Sequence, residues 1–467
     1  MNERATEVAV IGLGLAYLVV LTWAIGNISY DIWGALVAGP VYALIGVAVI
    51  RRLFRGPLEP LVVPLMWGLL VKFLGSLARY WVGFEAYEGG IDAARYHRFG
   101  GQLASAVWSG EERLVAALPH DVGTQFTENF TAFVYVLTGP SQLAGFLTFS
   151  LLAYLGLALM VKAAAIAVPG LAARRYAWLC VLFPSVVYWP ASIGKESMLM
   201  LGLGVATLGI ATMLTHGRWV PSIAMIVAGL GFTALVRPHI AGIWVAGAFP
   251  ALVVALLRRS RPSGGAVAAP GANRFGVAVV LVLAAVGLAV ISSVTIRFLA
   301  PDAEERSTTD SLTQILESTT ARTDEGGSSF VPPSLGNPTA WPYASVRTLT
   351  RPLLPEVRNP VEFLTAAETT ALLGLLVVNR RRLYNIPRLL VTSPYVTFVV
   401  TTIFLTGLAY SSFANLGLLA RQKSLIFPFM LLLACVPERP WRRTWKATPA
   451  VADDRSAQTP PAVHSPS

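Results

Sequence analysis

The stretch Phe183-Pro-Ser-Val-Val-Tyr-Trp-Pro-Ala-Ser-Ile-Gly-Lys195-Glu196 decides how the whole chain is read. Apolar runs flank it, two prolines interrupt it, and it closes on a charged pair. Repeated apolar runs of about 20 residues are the mark of helices that cross a hydrocarbon layer of about 30 Å. A charged pair between two such runs is either an interfacial anchor, with long side chains reaching for water, or one wall of a reaction site. The face of the membrane on which it lies, and what else lies there, separate the two.

Composition bounds the answer. Of 467 residues, 55% are hydrophobic and 13% charged, and mean hydropathy is +0.61. Soluble domains carry about 25% charged residues. The expected fold is therefore all-α, a polytopic membrane protein. The formal net charge of +11 is expected in cytoplasmic loops. Nothing resembles a zinc finger, a basic helix or an aromatic RNA-binding strand, so nucleic acid is set aside as a partner. The two cysteines, Cys180 and Cys435, lie inside apolar runs and indicate neither a disulfide framework nor a thiolate metal site. The apolar stretch from Val8 to Ile25 is read as a first span rather than a removed signal.

Working outward, the runs predict about twelve transmembrane helices, at about 6–26, 30–50, 60–80, 143–166, 175–190, 196–215, 219–236, 237–257, 275–298, 364–379, 390–410 and 415–436. Arg51, Arg52 and Arg55, then Arg174 and Arg175, Arg258, Arg259 and Arg261, and Arg380 to Arg382 fall on alternate turns. By the positive-inside rule those turns are cytoplasmic, and so are both termini. Residues 1–437 form the transmembrane domain, with large outer loops at 81–142 and 300–364. The first loop is expected to hold short amphipathic helices lying at the surface. Residues 438–467 read as a basic, disordered cytoplasmic tail.

This topology gathers ionisable residues on the outer face, at span ends. They are Asp92, Arg95 and His97; Lys195 and Glu196; Arg237 and His239; and Arg421 and Lys423. Leu425 to Val436 is too short to cross, so the last span must begin near Asn415, which brings Arg421 within the membrane boundary. A charge there costs roughly 2.5–3.5 kcal/mol on insertion scales and is usually paired or faces a watery cavity. Outer cations also run against the positive-inside trend unless they serve an anion, for which a lipid-linked phosphate or pyrophosphate is the obvious candidate. Each motif also has a bland reading. Lys195-Glu196 can simply cap a span, Arg237-Pro-His239 can be a helix break imposed by the proline, Arg421 can snorkel, and Asp92 can be a solvated turn residue. His97 and His239 show no spacing that would hold a metal.

These residues resemble two groups of bacterial membrane proteins. Asp92-Ala-Ala-Arg95-Tyr96-His97 is similar to the Asp-containing first outer loop of membrane-embedded glycosyltransferases with the GT-C fold. Pro184-Ser-…-Trp189-…-Gly194-Lys195-Glu196, Arg237-Pro-His239 and Asn415-Leu-Gly-…-Arg421-Gln-Lys423 resemble motifs of exopolysaccharide and O-antigen polymerase-like membrane proteins. One departure stands out. The acidic pair frequent in that first loop is here Asp92 followed by Ala93, so a second carboxylate would have to be Glu85, Glu88 or Glu196.

The resemblance implies a glycosyltransferase of the bacterial inner membrane, working on its outer face in cell-surface polysaccharide assembly. Its partners would be a polyprenyl-phosphate-linked sugar donor, a glycan acceptor, membrane lipids and other polysaccharide-assembly proteins. No metal and no cofactor are called for. The residue chemistry fits such a reaction. Asp92 is the first candidate for the base that takes the acceptor's proton, with His97 second and Glu196 as the other carboxylate. Arg95, Lys195, Arg237, His239, Arg421 and Lys423 are candidates to hold the phosphate or pyrophosphate. The loop 300–364 would cover the glycan. A polymerase of lipid-linked repeat units, a flippase or transporter, and a non-catalytic scaffold remain the alternatives.

Overall fold

The computed structural model describes residues 3–118, 121–216, 219–259, 338–357, 360–413 and 415–438. Its principal elements are α1 (Glu3–Asn27), α2 (Tyr30–Leu53), α3 (Val62–Trp81), α4 (Asp92–Ser109), α5 (Thr124–Thr138), α6 (Gln142–Ala167), α7 (Ala173–Leu182), α8 (Pro184–Tyr188), α9 (Lys195–His216), α10 (Trp219–Val236) and α11 (Pro238–Arg259). After the segment outside the description come α12 (Trp341–Leu349), α13 (Pro360–Val378), α14 (Arg380–Leu383), α15 (Ile386–Thr392), α16 (Pro394–Ala409), α17 (Leu416–Lys423) and α18 (Phe427–Leu433).

Seven helices among the described residues are long and apolar enough to cross a membrane, or up to nine if each of two bent pairs counts as one span. Many of their outward side chains are large and apolar, among them Val41, Leu44, Leu74, Val220 and Val227. Solvent-facing surfaces rarely expose so much contiguous apolar area, whereas lipid-facing ones do. The chain is a multi-pass membrane protein.

The expected count of about twelve is not reached among the described residues, for reasons that can be located. The predicted span at 275–298 lies outside the description, as do most of the loop 300–364 and nearly all of the tail. The first predicted span is a helix whose apolar part, Ile11–Asn27, is short. The predicted span 175–190 is not one helix. Pro184 pushes Phe183 into an extended conformation and divides the run into α7 and α8. The ten residues of α7 reach only about 15 Å, half the hydrocarbon thickness. The predicted spans 364–379 and 415–436 each belong to a bent pair. Phe363–Val378 meets Arg380–Thr392 at 70°, and Leu416–Lys423 meets Phe427–Leu433 at 67°. At the second bend Ser424 Oγ donates back to the Arg421 carbonyl at 2.7 Å, a bond that competes with the helix ladder.

The loop 81–142 does contain two helices, but α5 is not a surface helix. Phe126, Thr127, Asn129, Thr131, Ala132, Val134 and Tyr135 are buried. Phe126 and Phe130 pack edge-on against Phe232 of α10, and Phe130 also meets Phe149 of α6.

Packing is organised around α6, which is buried on nearly every side and lies against α9. Glycines permit the approach. A Cβ on Gly156 would fall 2.1 Å from the Met200 carbonyl oxygen, and one on Gly204 would fall 2.2 Å from that of Gly156. Small residues at helix crossings let backbones touch where lipid tails offer no hydrophobic drive for association. At one end of the bundle, Arg175 donates to Asn379 Oδ1 (2.9 Å) and Arg382 to the Val436 carbonyl (2.7 Å). These bonds tie the start of α7 and the segment after α18 to α14 and the residue before it. Gly156→Ala and Gly204→Ala should each destabilise the detergent-solubilised protein by about 1–3 kcal/mol in a thermal melt, because the backbones must part to admit a methyl group. Gly14→Ala, whose Cβ meets nothing within 4 Å, should cost nothing.

Candidate functional site

The segment between α7 and α9 is fixed from two sides. From α3, Lys72 is buried and donates to the Val186 and Val187 carbonyls (2.9 and 3.0 Å), while Ser76 Oγ donates to the Ala191 carbonyl at 3.0 Å. Those carbonyls lie at and beyond the end of α8, where the helix itself supplies no partner. From α13, the Glu368 carboxylate accepts from the Ser185 backbone N–H at 2.7 Å and from its hydroxyl. With the loop pinned, α9 begins at Lys195 and presents Glu196 in its first turn, where the helix dipole favours a carboxylate.

Glu196 is the centre of the site. Its side chain is 4% exposed. Arg421 Nη2 donates to Oε2 at 2.7 Å, Arg237 Nη2 to Oε1 at 3.4 Å, and Gln422 Nε2 to Oε1 at 3.3 Å. A buried carboxylate is tolerated only when paired and hydrogen-bonded, and here three donors from two distant segments supply that need. Arg421 is shared. Its Nη1 donates at 2.8 Å to Asp92, at the start of α4, whose side chain is 54% exposed.

Local sequence explains these placements. Arg237 lies in the one-residue break between α10 and α11, before Pro238, where proline disfavours a continued helix. Asn415 caps α17 by accepting from Leu418 N–H at 2.9 Å, so Arg421 arrives in its last turn, beside the bend. Lys195 donates to Thr124 Oγ1 at 2.8 Å and lies close enough to Arg237, Glu196, Asp92 and Arg421 to interact with each. His239 is buried near Arg237 and Lys195, with its Nδ1 unpartnered among the described residues. Three cations (Lys195, Arg237, Arg421) and two carboxylates (Asp92, Glu196) leave a surplus of one positive charge. The arrangement can attract an anion and present a half-exposed carboxylate beside it.

Three sequence candidates lie elsewhere. Arg95 points away from the cluster to Glu128 (2.8 Å), over the Phe99 ring. His97 sits between Tyr135 Oη (2.8 Å) and Asp31 (3.6 Å), about one and a half turns from Asp92 on another side of α4. Lys423 is fully buried, donating to the Arg351 carbonyl, with Phe427 beneath it. It secures the segment after α12 to the α17 bend. A helix rotates about 100° per residue, so His97 and Lys423 fall on other faces than Asp92 and Arg421. Arg95, three residues from Asp92, shares its face but is drawn to Glu128 of α5.

Sequence reasoning passed over Tyr96, Gln422, Lys72 and Glu368. Tyr96 is buried beside Gly194, and its hydroxyl is pushed up by burial and by the Asp92 and Glu196 carboxylates, so it stays a neutral donor. Lys72 and Glu368 carried a signal, being ionisable residues inside apolar runs. Among the described residues no group of three or more His, Cys, Asp or Glu side chains could hold a metal ion.

Comparison with models of known families, with curated proteins and with solved structures finds no match for this chain.

Removing Glu196 leaves two guanidinium groups without their buried counter-charge. Glu196→Ala should therefore destabilise the protein by about 3–5 kcal/mol. Asp92→Ala, at an exposed pair, should cost less than about 1 kcal/mol. Parallel thermal melts in detergent check the contrast. His97 supplies a pH dependence: burial lowers its pKa from the usual value, opposed by Asp31. The unfolded chain then binds the proton more readily, so stability falls as pH drops below about 6.5. Between pH 7 and 5 the melting midpoint should fall further in the native protein than in His97→Gln.

Proposed function

We propose that the chain is an integral-membrane glycosyltransferase that uses polyprenyl-phosphate-linked sugars in bacterial cell-surface polysaccharide assembly, with the cluster around Glu196 as its centre on the outer face. The observation that carries this reading is the meeting of Asp92, Lys195, Glu196, Arg237 and Arg421, from four separate segments, in one cluster with a surplus of one positive charge.

Roles follow from exposure and bonding. Asp92 is the half-exposed carboxylate and takes the proton of the acceptor hydroxyl as that oxygen bonds to the anomeric carbon. The bond from that carbon to the phosphate oxygen breaks, and the departing phosphate takes the electron pair. Arg421, Arg237 and Lys195 stabilise the charge that develops on it, in a setting poorer in water than bulk solvent. Glu196, enclosed by three donors, is a positioning residue that fixes the two guanidinium groups. His239 lies behind this layer. The same residues serve the polymerase version, in which they hold the pyrophosphate of one lipid-linked glycan while another attacks.

A second reading, a flippase for lipid-linked glycans, draws support from the two sharply bent helix pairs, since broken helices are characteristic of transporters. Two experiments separate these. In membranes supplied with a labelled polyprenyl-phosphate sugar, Asp92→Asn and Arg421→Ala should each lower transfer at least about 100-fold while still inserting. Full transfer by both would sink the assignment. In a deletion strain, a truncated lipid-linked glycan marks a transferase and an unpolymerised complete unit marks a polymerase. Complete units confined to the inner leaflet mark a flippase.

A further inference from the structure

Beside the site, α3, α7, α8 and α13 enclose a groove of about 1250 Å³ that the reaction does not use. This exceeds the roughly 300–1,000 Å³ of ordinary small-molecule pockets. Its walls are mainly apolar, with Leu179 and Leu182 of α7 facing Leu372 and Leu375 of α13. Leu182 and Leu364 at its rim are exposed, on a body whose exposed apolar faces meet lipid.

Of the cations lining this groove, Arg174 and Arg175 are exposed, whereas Arg79 has a buried group that is incompletely served. Arg79 donates from Nη1 to Tyr188 Oη at 3.1 Å, and its guanidinium carbon lies 4.8 Å from the Tyr188 ring centre and 4.9 Å from that of Trp189. Its Nε is buried with no hydrogen-bond partner among the described residues. A guanidinium has five donors in a planar fork that suits phosphate oxygens, and an unmet buried donor carries a desolvation cost. The one carboxylate lining the groove, Glu368, is occupied by both donors of Ser185.

We infer that this groove is a binding site for a bilayer glycerophospholipid, its phosphate held by Arg79 and an acyl chain lying between α7 and α13. The apolar walls exclude free phosphate as the natural occupant, because an ion would leave them unfilled. The reacting lipid is the other amphiphile to weigh. None of Asp92, Lys195, Glu196, Arg237 or Arg421 lines the groove. A headgroup on Arg79 therefore sits apart from the groups that would cleave a sugar phosphate. The bound lipid would brace Tyr188 and Trp189, a few residues before Lys195 and Glu196.

The test uses the full chain in nanodiscs of phosphatidylglycerol doped with a phosphatidylglycerol that bears a diazirine on its acyl chain. After irradiation, label should concentrate in peptides that contain Leu179–Leu182 or Leu372–Leu375. Arg79→Gln should lower labelling there at least fivefold, with an unchanged melting midpoint. Ala371→Trp, at an exposed groove position, obstructs the chain while leaving Arg79 intact, and should do the same. If Arg79→Gln fails to fold, Ala371→Trp decides. Label spread evenly over the apolar helices, or unmoved by either variant, overturns the inference. So does displacement of the label by an equimolar polyprenyl phosphate, which would assign the groove to the substrate's chain, or by inorganic phosphate alone. Because labelling requires no turnover, it can fail without touching the transfer reading, and the reverse holds too.

Discussion

A buried carboxylate is the constraint on which the site depends. Glu196 is almost wholly enclosed in a helical membrane body, where an isolated charge would be expelled or neutralised. Arg421, Arg237 and Gln422 meet its demand for donors, coming from the α17 bend and the α10–α11 break. Those positions are where the helices are interrupted, and the interruptions are what let charged side chains turn inward. Arg421 then extends the network to Asp92, which ties α4 to the same centre.

The segment that delivers Glu196 is held by groups that take no part in that centre. Lys72 satisfies carbonyls in the last turn of α8, Ser76 one beyond it, and Glu368 satisfies Ser185. Each is a polar side chain inside an apolar environment, placed where an irregular backbone has unmet hydrogen bonds. Irregular backbone at membrane depth survives only when protein groups satisfy it in this way. The prolines that break the run at 183–196, which at first sight weaken it as a span, are what make room for the site.

Division of labour within the cluster follows from exposure. Glu196 has donors on both oxygens and little room for a substrate proton, whereas Asp92 shares one guanidinium and is open to solvent. That difference in exposure is the basis on which the proposed roles assign Glu196 to positioning and Asp92 to proton transfer. The groove between α7 and α13 is lined in part by the same pinned segment, through Pro184, Ser185, Tyr188 and Trp189.

Hydropathy and length by themselves determined that this is an all-helical, multi-pass membrane protein, because an apolar run of about 20 residues has few other stable fates. Charge on the turns led to the expectation of one shared face, and with span length and motif resemblance it named Asp92, Glu196, Arg237 and Arg421. Helical direction was beyond it. A straight reading made single spans of 175–190, 364–379 and 415–436, since hydropathy averages over a proline or a back-bonded serine that breaks the rod. Spacing also grouped Arg95 and His97 with Asp92, and Lys423 with Arg421, although the Glu128 carboxylate takes Arg95, rotation along α4 turns His97 away, and burial at the α17 bend sends Lys423 to another partner. Only the tertiary structure decided which of the cations on one face reach a common carboxylate. Pairing depends on the angle at each helix break and on which donors a buried charge can reach, and neither is written in any single segment.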